Sequence, residues 1–227
     1  MSTPTELLPD PLPAEPLEMA AAWLAQAWEL GRQPNPNAMS LATSSPAGTP
    51  SVRIVLCKAI VTPPGYVVFY TNYRSRKGRE LAENPRAAAV MHWDHLQRQV
   101  RIEGVVDIAA AADSDAYFAS RALQSRIGAW ASSQSEPLAS RAQLLEAVAE
   151  SARRFGIDPE AAAAATTEAV VPRPPHWGGY RLWAEAVELW VQGDARIHDR
   201  ARWSRSLVRR SDGSFEAGPW AAMRLQP

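Results

Sequence analysis

Six to eight short β-type segments, most of them joined by tight turns, leave few architectures open to this chain. Residues 38–43 and 51–60 flank the turn Ser45-Pro46-Ala47-Gly48, and Pro63-Pro64-Gly65 separates the latter from a segment at 66–71. Residues 86–93 and 97–108 form the next predicted hairpin, 179–191 and 196–205 another, and 220–225 a final strand. Gly, Pro and Asp at the junctions supply the backbone angles that tight turns need. Helical spacing appears before and between these strands. Leu17, Ala20, Leu24, Ala27 and Trp28 recur at helical intervals and stop at Gly31. Ser75 is placed to cap a short helix over 75–83, Asp113 one running through Arg121, and residues 140–155 are amphipathic. Sustained strand–helix alternation and a glycine-rich nucleotide fingerprint are both missing, which argues against a doubly wound fold. The pattern predicts a mainly β, antiparallel barrel with peripheral helices.

Residues 1–16 are acidic and proline-rich and are expected to form a flexible lead to a single domain over 17–227. Residues 158–175, with five consecutive alanines and then prolines, read as a helical turn and a linker without chemistry. Lys+Arg and Asp+Glu are both 24, so no general field draws nucleic acid or an anionic membrane, and any anion site must be a local cluster. The one cysteine, Cys57, excludes an intrachain disulfide or a cysteine-based metal cluster and fits a reducing compartment. No signal peptide and no apolar run of about 20 residues is seen. The expectation is a cytoplasmic protein bound to neither nucleic acid nor membrane.

Several clusters carry possible chemistry. Gly193-Asp194 predicts a tight hairpin whose second strand puts Arg196, His198 and Arg200 on one face, with the Trp190 ring nearby. Such a row suits a phosphorylated planar ligand, and equally a solvated strand face. In Arg53-Ile54-Val55-Leu56-Cys57-Lys58, Lys58 shares parity with Val52, Ile54 and Leu56, which looks like the buried face. Lys58 then needs a partner there, or snorkels from the strand end. Tyr70-Thr71 leads into Ser75-Arg76-Lys77 at a helix start, where main-chain N–H groups and two cations would cradle a phosphate; an exposed basic turn is the alternative. Gln99 lies on a polar strand face. Tyr117, Arg121 and Ser125, four apart, would line one helical face with phosphate donors. Gln134 and Ser135 sit in a small polar cluster. The four histidines make no metal-ligand set, since His92 and His95 have only Asp94 nearby.

Taken in order, these pieces resemble the pyridoxamine 5′-phosphate oxidase family from about residue 16 to the C-terminus. The most specific are Arg53 to Lys58, Phe69-Tyr70-Thr71-Asn72 with Ser75-Arg76-Lys77, and the run from Tyr117 through Arg121 and Ser125 to Trp130. Gln99, Gln134-Ser135, Trp177-Gly178-Gly179 and Glu188-Leu189-Trp190 followed by Arg196-Ile197-His198-Asp199-Arg200 complete the match. The resemblance implies an FMN-binding split β-barrel and a homodimer with FMN at its interface. It implies FMN contacts from Arg53, Ile54, Val55, Leu56, Cys57, Lys58, Tyr70, Thr71, Arg76, Lys77, Gln99, Gln134, Ser135, Trp190 and Arg200. Substrate contacts would come from Lys58, Tyr117, Arg121, Ser125, Arg196 and His198, the last two also serving catalysis. The implied reaction is oxidation of pyridoxamine or pyridoxine 5′-phosphate by O2 to pyridoxal 5′-phosphate with release of H2O2.

Three departures stand out. The family often has a basic N-terminal segment with an Arg-Glu-Tyr run over the substrate, and this chain has its acidic lead instead. Ala122 stands where the family commonly has proline. Residues 158–167 and 207–219 look longer than usual and are expected to be surface loops. Two other functions stay open: a phenazine-pathway flavin oxidase on the same scaffold, and a flavin- or pyridoxal-phosphate-binding module without catalysis. Retention of Tyr117, Arg121 and Ser125 favours the vitamin B6 substrate over the first, and Arg196 with His198 argues against the second.

Overall fold

The computed structural model describes residues 6–159 and 169–227. The chain divides into two compact units. The first takes residues up to Phe69, Asn84–Asp107 and Arg181–Pro227, and the second takes Tyr70–Glu83 and Ile108–Tyr180. Three of the boundaries fall within strands, and the fourth lies at the end of a helix.

The first unit opens with helix α1 (Pro16–Leu30), which ends on Gly31 in the left-handed region at φ 59°. The strands follow as β1 (Ala38–Ser44), β2 (Pro50–Leu56), β3 (Ala59–Val61), β4 (Tyr66–Asn72), β5 (Arg86–Trp93) and β6 (Arg98–Ile108). After the second unit's helices come β7 (Trp177–Val191), β8 (Asp199–Ser204), β9 (Leu207–Arg209), β10 (Phe215–Ala217) and β11 (Ala221–Arg224). Nine of them form one sheet in the order β11-β8-β7-β6-β5-β1-β2, with β4 joining β3 to β7. β9 and β10 pair separately across residues that the sequence presents as a surface loop. The hairpins β1–β2, β5–β6 and β7–β8 are antiparallel, as alternation and turn signals predict. Trp93, Trp203, Phe69, Met39, Leu41 and Leu182 are fully buried, each side chain contributing roughly 1.5–3 kcal/mol of hydrophobic stabilisation. The two indoles are also satisfied, Trp93 Nε1 donating to the Pro36 carbonyl at 2.7 Å and Trp203 Nε1 to that of Pro13 at 2.8 Å.

Four expectations are corrected here. The lead, over its described residues from 6 onward, is docked: Leu8 is buried, its N–H donates to Asp199 Oδ2 at 2.8 Å, and the Pro9 carbonyl accepts from Arg224 at 3.0 Å. Residues 51–60 are two strands, because the chain changes partners at Cys57-Lys58. Cys57 N still bonds Asn37 O beside β1, whereas Lys58 N bonds Val68 O on β4. The parity is also reversed. Val52 and Ile54 are 68% and 63% exposed, Lys58 is exposed, and Cys57 turns inward. The tight turn at Gly193-Asp194 is instead a loop spanning 192–198. Gly193 is extended at φ −115°, and the left-handed angles that reverse the chain fall on Ala195 (φ 51°) and Arg196 (φ 65°). Arg196, His198 and Arg200 therefore do not share a strand face.

The second unit holds α2 (Arg76–Glu83), α3 (Ala111–Ala119), α4 (Leu123–Ala131) and α5 (Arg141–Arg154). Ser140 caps α5, accepting from Gln143 N at 3.1 Å. Asp113 lies in the first turn of α3 and does not cap it; the N-cap is Ala110. Because α3 stops at Ala119 and α4 starts at Leu123, Tyr117, Arg121 and Ser125 do not line one helix. Ala122, at φ −53° and ψ 141°, has angles that proline adopts, so alanine leaves the chain path intact there. Phe118, Leu123, Ile127, Ala152, Ile157, Val171 and Trp177 make this unit's core. Most of the expected helical turn in 158–175 falls on 160–168, outside the described residues; 169–174 form no helix. Among the described residues no helix is long and apolar enough to cross a membrane.

Candidate functional site

In the second unit, the end of β4 runs into α2 and builds a polar knot. Ser75 caps the helix, its Oγ accepting from Gly78 N at 3.3 Å and donating to the Asn72 carbonyl at 2.7 Å. Lys77, 8% exposed, donates to Thr71 Oγ1 at 3.0 Å, Ser75 Oγ at 3.2 Å and Gln134 Oε1 at 2.7 Å. These three acceptors are neutral and solvate the ammonium. The helix N-terminus adds to the positive potential. Arg76 points outward, its Nε 2.9 Å from Glu80 Oε1 one turn on. Ser135 holds a left-handed φ of 74°, an angle that is costly for a residue with a side chain and concentrates at functional sites.

A second cluster in the same unit is aromatic. The Tyr70 and Tyr117 rings stack with centroids 4.0 Å apart, and Trp177 lies within 13° of parallel to Tyr70 at 5.6 Å. The two glycines after Trp177 make room for the rings of Tyr73 and Tyr70. A Cβ on Gly178 would come within 2.1 Å of the Tyr73 hydroxyl, and one on Gly179 within 2.9 Å of Tyr70 Cε1. Burial, reinforced by the Asp113 carboxylate, raises the Tyr70 pKa, keeping its phenol protonated. The Arg121 guanidinium lies over Trp177 at 4.6 Å, and its Nη1 is buried without a hydrogen-bond partner. Burial pulls the Arg121 pKa below its ordinary value. Ser125 is exposed on α4.

In the first unit, Arg53 is tied to its own hairpin, donating to the Leu41 carbonyl at 3.1 Å and Thr43 Oγ1 at 2.6 Å, and also to Ser51 Oγ. Ile54 is exposed, and Val55 and Leu56 are half-buried. The Cys57 thiol is buried, donates to the Ala59 carbonyl at 3.4 Å, and has its pKa pushed up to about 12 by desolvation. It is a thiol at neutral pH, with the inertness of a structural cysteine.

The β7–β8 hairpin places Trp190 opposite Arg200. Trp190 packs on the His198 ring at 4.7 Å. Gly193 N–H donates to His198 Nδ1 at 3.2 Å, which leaves the proton of the neutral ring on Nε2. Gly193 is required here, since a Cβ would fall 1.8 Å from the Ile197 carbonyl oxygen. Arg196 is exposed on the loop, held in its left-handed conformation. Arg200 Nε donates to Glu188 Oε1 at 2.9 Å, and its Nη2 lies 2.8 Å from the same oxygen as an ion-pair contact. Gln99, in the amide orientation that satisfies it, accepts from Arg101 Nε at 2.8 Å and Nη2 at 3.1 Å.

The structure thus groups Thr71, Lys77 and Gln134, then Tyr70, Tyr117 and Arg121, then Trp190 with His198. It sets Arg196 and Ser125 apart in solvent. Trp177 and Glu188 carry geometry that sequence reasoning left without a role. Glu188 was signalled, being a carboxylate between Val187 and Leu189 in an apolar strand, a place that demands a partner.

This chain is similar to known proteins along most of its length. Residues 29–155 match the family profile described as pyridoxamine 5′-phosphate oxidase. Residues 177–227 match the pyridoxine 5′-phosphate oxidase C-terminal dimerisation region. A pyridoxine/pyridoxamine 5′-phosphate oxidase from Cereibacter sphaeroides is 46% identical over 214 residues, covering 94% of this chain and 95% of the relative. One of the same name from Rhodospirillum rubrum is 45% identical over 217 residues, covering 94% and 96%. Among solved structures, PhzG from Burkholderia lata, in complex with tetrahydrophenazine-1-carboxylic acid, superposes with a TM-score of 0.78 at 30% identity, covering 95% and 94%. An FMN-binding protein from Nostoc punctiforme, related to pyridoxamine 5′-phosphate oxidase, gives 0.66 at 13% identity, covering 95% and 100%, a likeness of fold alone. The antiparallel split β-barrel with peripheral helices is the fold of both neighbours.

Proposed function

We propose that this chain, which belongs to the FMN-dependent pyridoxamine 5′-phosphate oxidase family, oxidises pyridoxamine 5′-phosphate or pyridoxine 5′-phosphate to pyridoxal 5′-phosphate. The alcohol substrate and O2 give the aldehyde and H2O2; the amine substrate also takes up water and releases ammonia. FMN, when bound, supplies the two-electron acceptor and passes the electrons to O2.

The observation that carries this reading is the orphaned Nη1 of Arg121, buried beside the Tyr70, Tyr117 and Trp177 rings. An unsatisfied buried guanidinium N–H costs about 1–3 kcal/mol or more, which a phosphate oxygen would recover. In this reading Arg121 and Tyr117 grip the substrate phosphate, with Lys58 and Ser125 contributing from exposed positions. That grip, remote from the reacting carbon, sets its position. Arg196 covers the pyridine ring, and His198 orients a polar substituent through its Nε2 proton.

The donor set also fits FMN. Lys77 and Arg76, with Thr71, Gln134 and Ser135, offer a positive cradle for a terminal phosphate, and Arg53 and Arg200 are proposed as further FMN contacts. Tyr70, Gln99 and Trp190 suit the flavin ring. Ile54, Val55, Leu56, Cys57 and Lys58 are proposed as neighbouring FMN contacts. The matched dimerisation region and the exposed Val52, Ile54 and Ile197 support a homodimer. The test is to purify the protein, measure bound flavin, and follow peroxide release with each B6 phosphate and with a dihydrophenazine carboxylate. A flavin-free protein, or one oxidising only the phenazine, overturns this reading.

A further inference from the structure

We propose that Glu188 is a positioning residue that fixes two expected flavin contacts, Arg200 and Gln99, without touching the ligand itself. This rests on the function proposed above. Glu188 is 3% exposed, on β7 between the fully buried Val187 and Leu189. A carboxylate there is tolerated only when ion-paired. Its Oε1 accepts from Nε of Arg200 at 2.9 Å and lies 2.8 Å from Nη2 of the same guanidinium, on the neighbouring strand β8. Its Oε2 lies 3.7 Å from Nη1 of Arg101 on β6, the strand on the other side. Arg101 in turn donates to Gln99 Oε1 at 2.8 and 3.1 Å.

One buried carboxylate therefore ties together three adjacent strands and orients a guanidinium on one side and an amide on the other. Arg200 has a second restraint, its Nη1 donating to the Gln226 carbonyl at 2.9 Å. With Nε bonded to Glu188 and Nη1 to Gln226, the guanidinium is fixed in its plane and can turn only its remaining N–H groups outward. For Gln99, engagement of its oxygen by Arg101 leaves the amide NH2 as the group presented to a ligand. One carboxylate between two guanidiniums also leaves the cluster cationic, so holding Arg200 does not neutralise it toward an anion. Side chains fixed before binding lose little freedom on binding, and this is where affinity is gained.

The experiment is FMN titration of the full-length protein, followed by flavin fluorescence, for wild type, Glu188→Gln, Arg200→Ala and the double variant. Glu188→Gln keeps the shape of the side chain and removes its charge. It is expected to weaken FMN binding roughly tenfold or more. In the Arg200→Ala background the same change is expected to cost much less, because one of the two contacts it positions is already gone. Glu188→Asp, which keeps the charge, is expected to fall between wild type and Glu188→Gln. Should Glu188→Gln fail to fold, Arg101→Met tests the other arm, since Arg101 is half-exposed; a several-fold loss of FMN affinity is expected. Unchanged FMN affinity in Glu188→Gln, or in Arg101→Met where that variant decides, overturns the proposal. So does an equal loss with and without Arg200, which is the mark of a general structural role. A wild type that binds no FMN overturns the proposed function itself, a result separate from either of these.

Discussion

Arg121 sits over the indole of Trp177, 4.6 Å from the ring centroid, while its Nη1 is buried with no hydrogen-bond partner. The cation–π contact is worth about 0.5–2 kcal/mol and holds the guanidinium in place, but it leaves the N–H groups unanswered. Arg121→Ala should chiefly raise KM for a phosphorylated substrate, because phosphate binding is largely uniform between ground and transition states. Trp177→Leu should also raise KM, by loosening the same guanidinium, with FMN content unchanged. Steady-state kinetics and flavin absorbance check both. Loss of FMN from Arg121→Ala would assign this side chain to the wrong ligand.

Lys77 gives a test of the flavin phosphate. Among its hydrogen-bond partners are Thr71 and Gln134, whose side chains already lie 3.2 Å apart and can bond each other without it. Lys77→Met removes a buried charge, and the Thr71–Gln134 bond that remains limits the cost in thermal stability. FMN affinity should fall by roughly 1.5–3 kcal/mol, the worth of a charge-assisted contact, while riboflavin affinity changes little. A loss of equal size for both flavins would place Lys77 away from the phosphate.

These two sites differ in how far the sequence reveals them. The Ser75 cap and the basic first turn of α2 are local features, readable from four residues in a row. The β5–β6 hairpin is likewise local. Lys58 was misplaced because the chain changes strand partner at Cys57-Lys58, and the new partner, Val68, is set by the sheet and not by neighbours in sequence. Gly193-Asp194 has the composition of a two-residue turn, yet Ala195 and Arg196 carry the left-handed angles, which composition does not encode. Tyr117, Arg121 and Ser125 have helical spacing, but the interval between α3 and α4 has no proline or glycine to announce it. Glu188 was visible as a charge in an apolar strand; its partners, drawn from the strands on either side, were not.

Cys57 makes alkaline stability informative. Its pKa rises from 9.0 to about 12 through burial, so folding favours the neutral thiol. That contribution is complete below about pH 9 and is lost progressively as pH rises toward 12. Over that window one such group steepens the loss by up to about 1.4 kcal/mol per pH unit. Denaturant melts of wild type and Cys57→Ala between pH 8 and 11 should converge at the alkaline end, as the thiol's advantage disappears. The same burial should make Cys57 slow to alkylate in the folded protein at pH 8, and fast alkylation would contradict its inward placement.

The loop over 192–198 joins strain to function most directly. Ala195 and Arg196 both hold positive φ, a conformation costing roughly 1–2 kcal/mol for each residue with a side chain, and the loop closes on Gly193. Strain of this kind persists where the fold needs a side chain aimed in one direction. Arg196 is exposed and is proposed to cover the substrate ring. Arg196→Ala should therefore lower kcat as well as raise KM, because it loosens the pose in which the reacting carbon is held. Arg196→Gly should cost the same activity while relieving the backbone, so it should be no less stable than Arg196→Ala despite the entropy glycine adds to the unfolded chain. Neither change should release FMN. If Arg196→Ala keeps wild-type kinetics, this side chain does not face the substrate, and the strained loop serves the position of His198 alone.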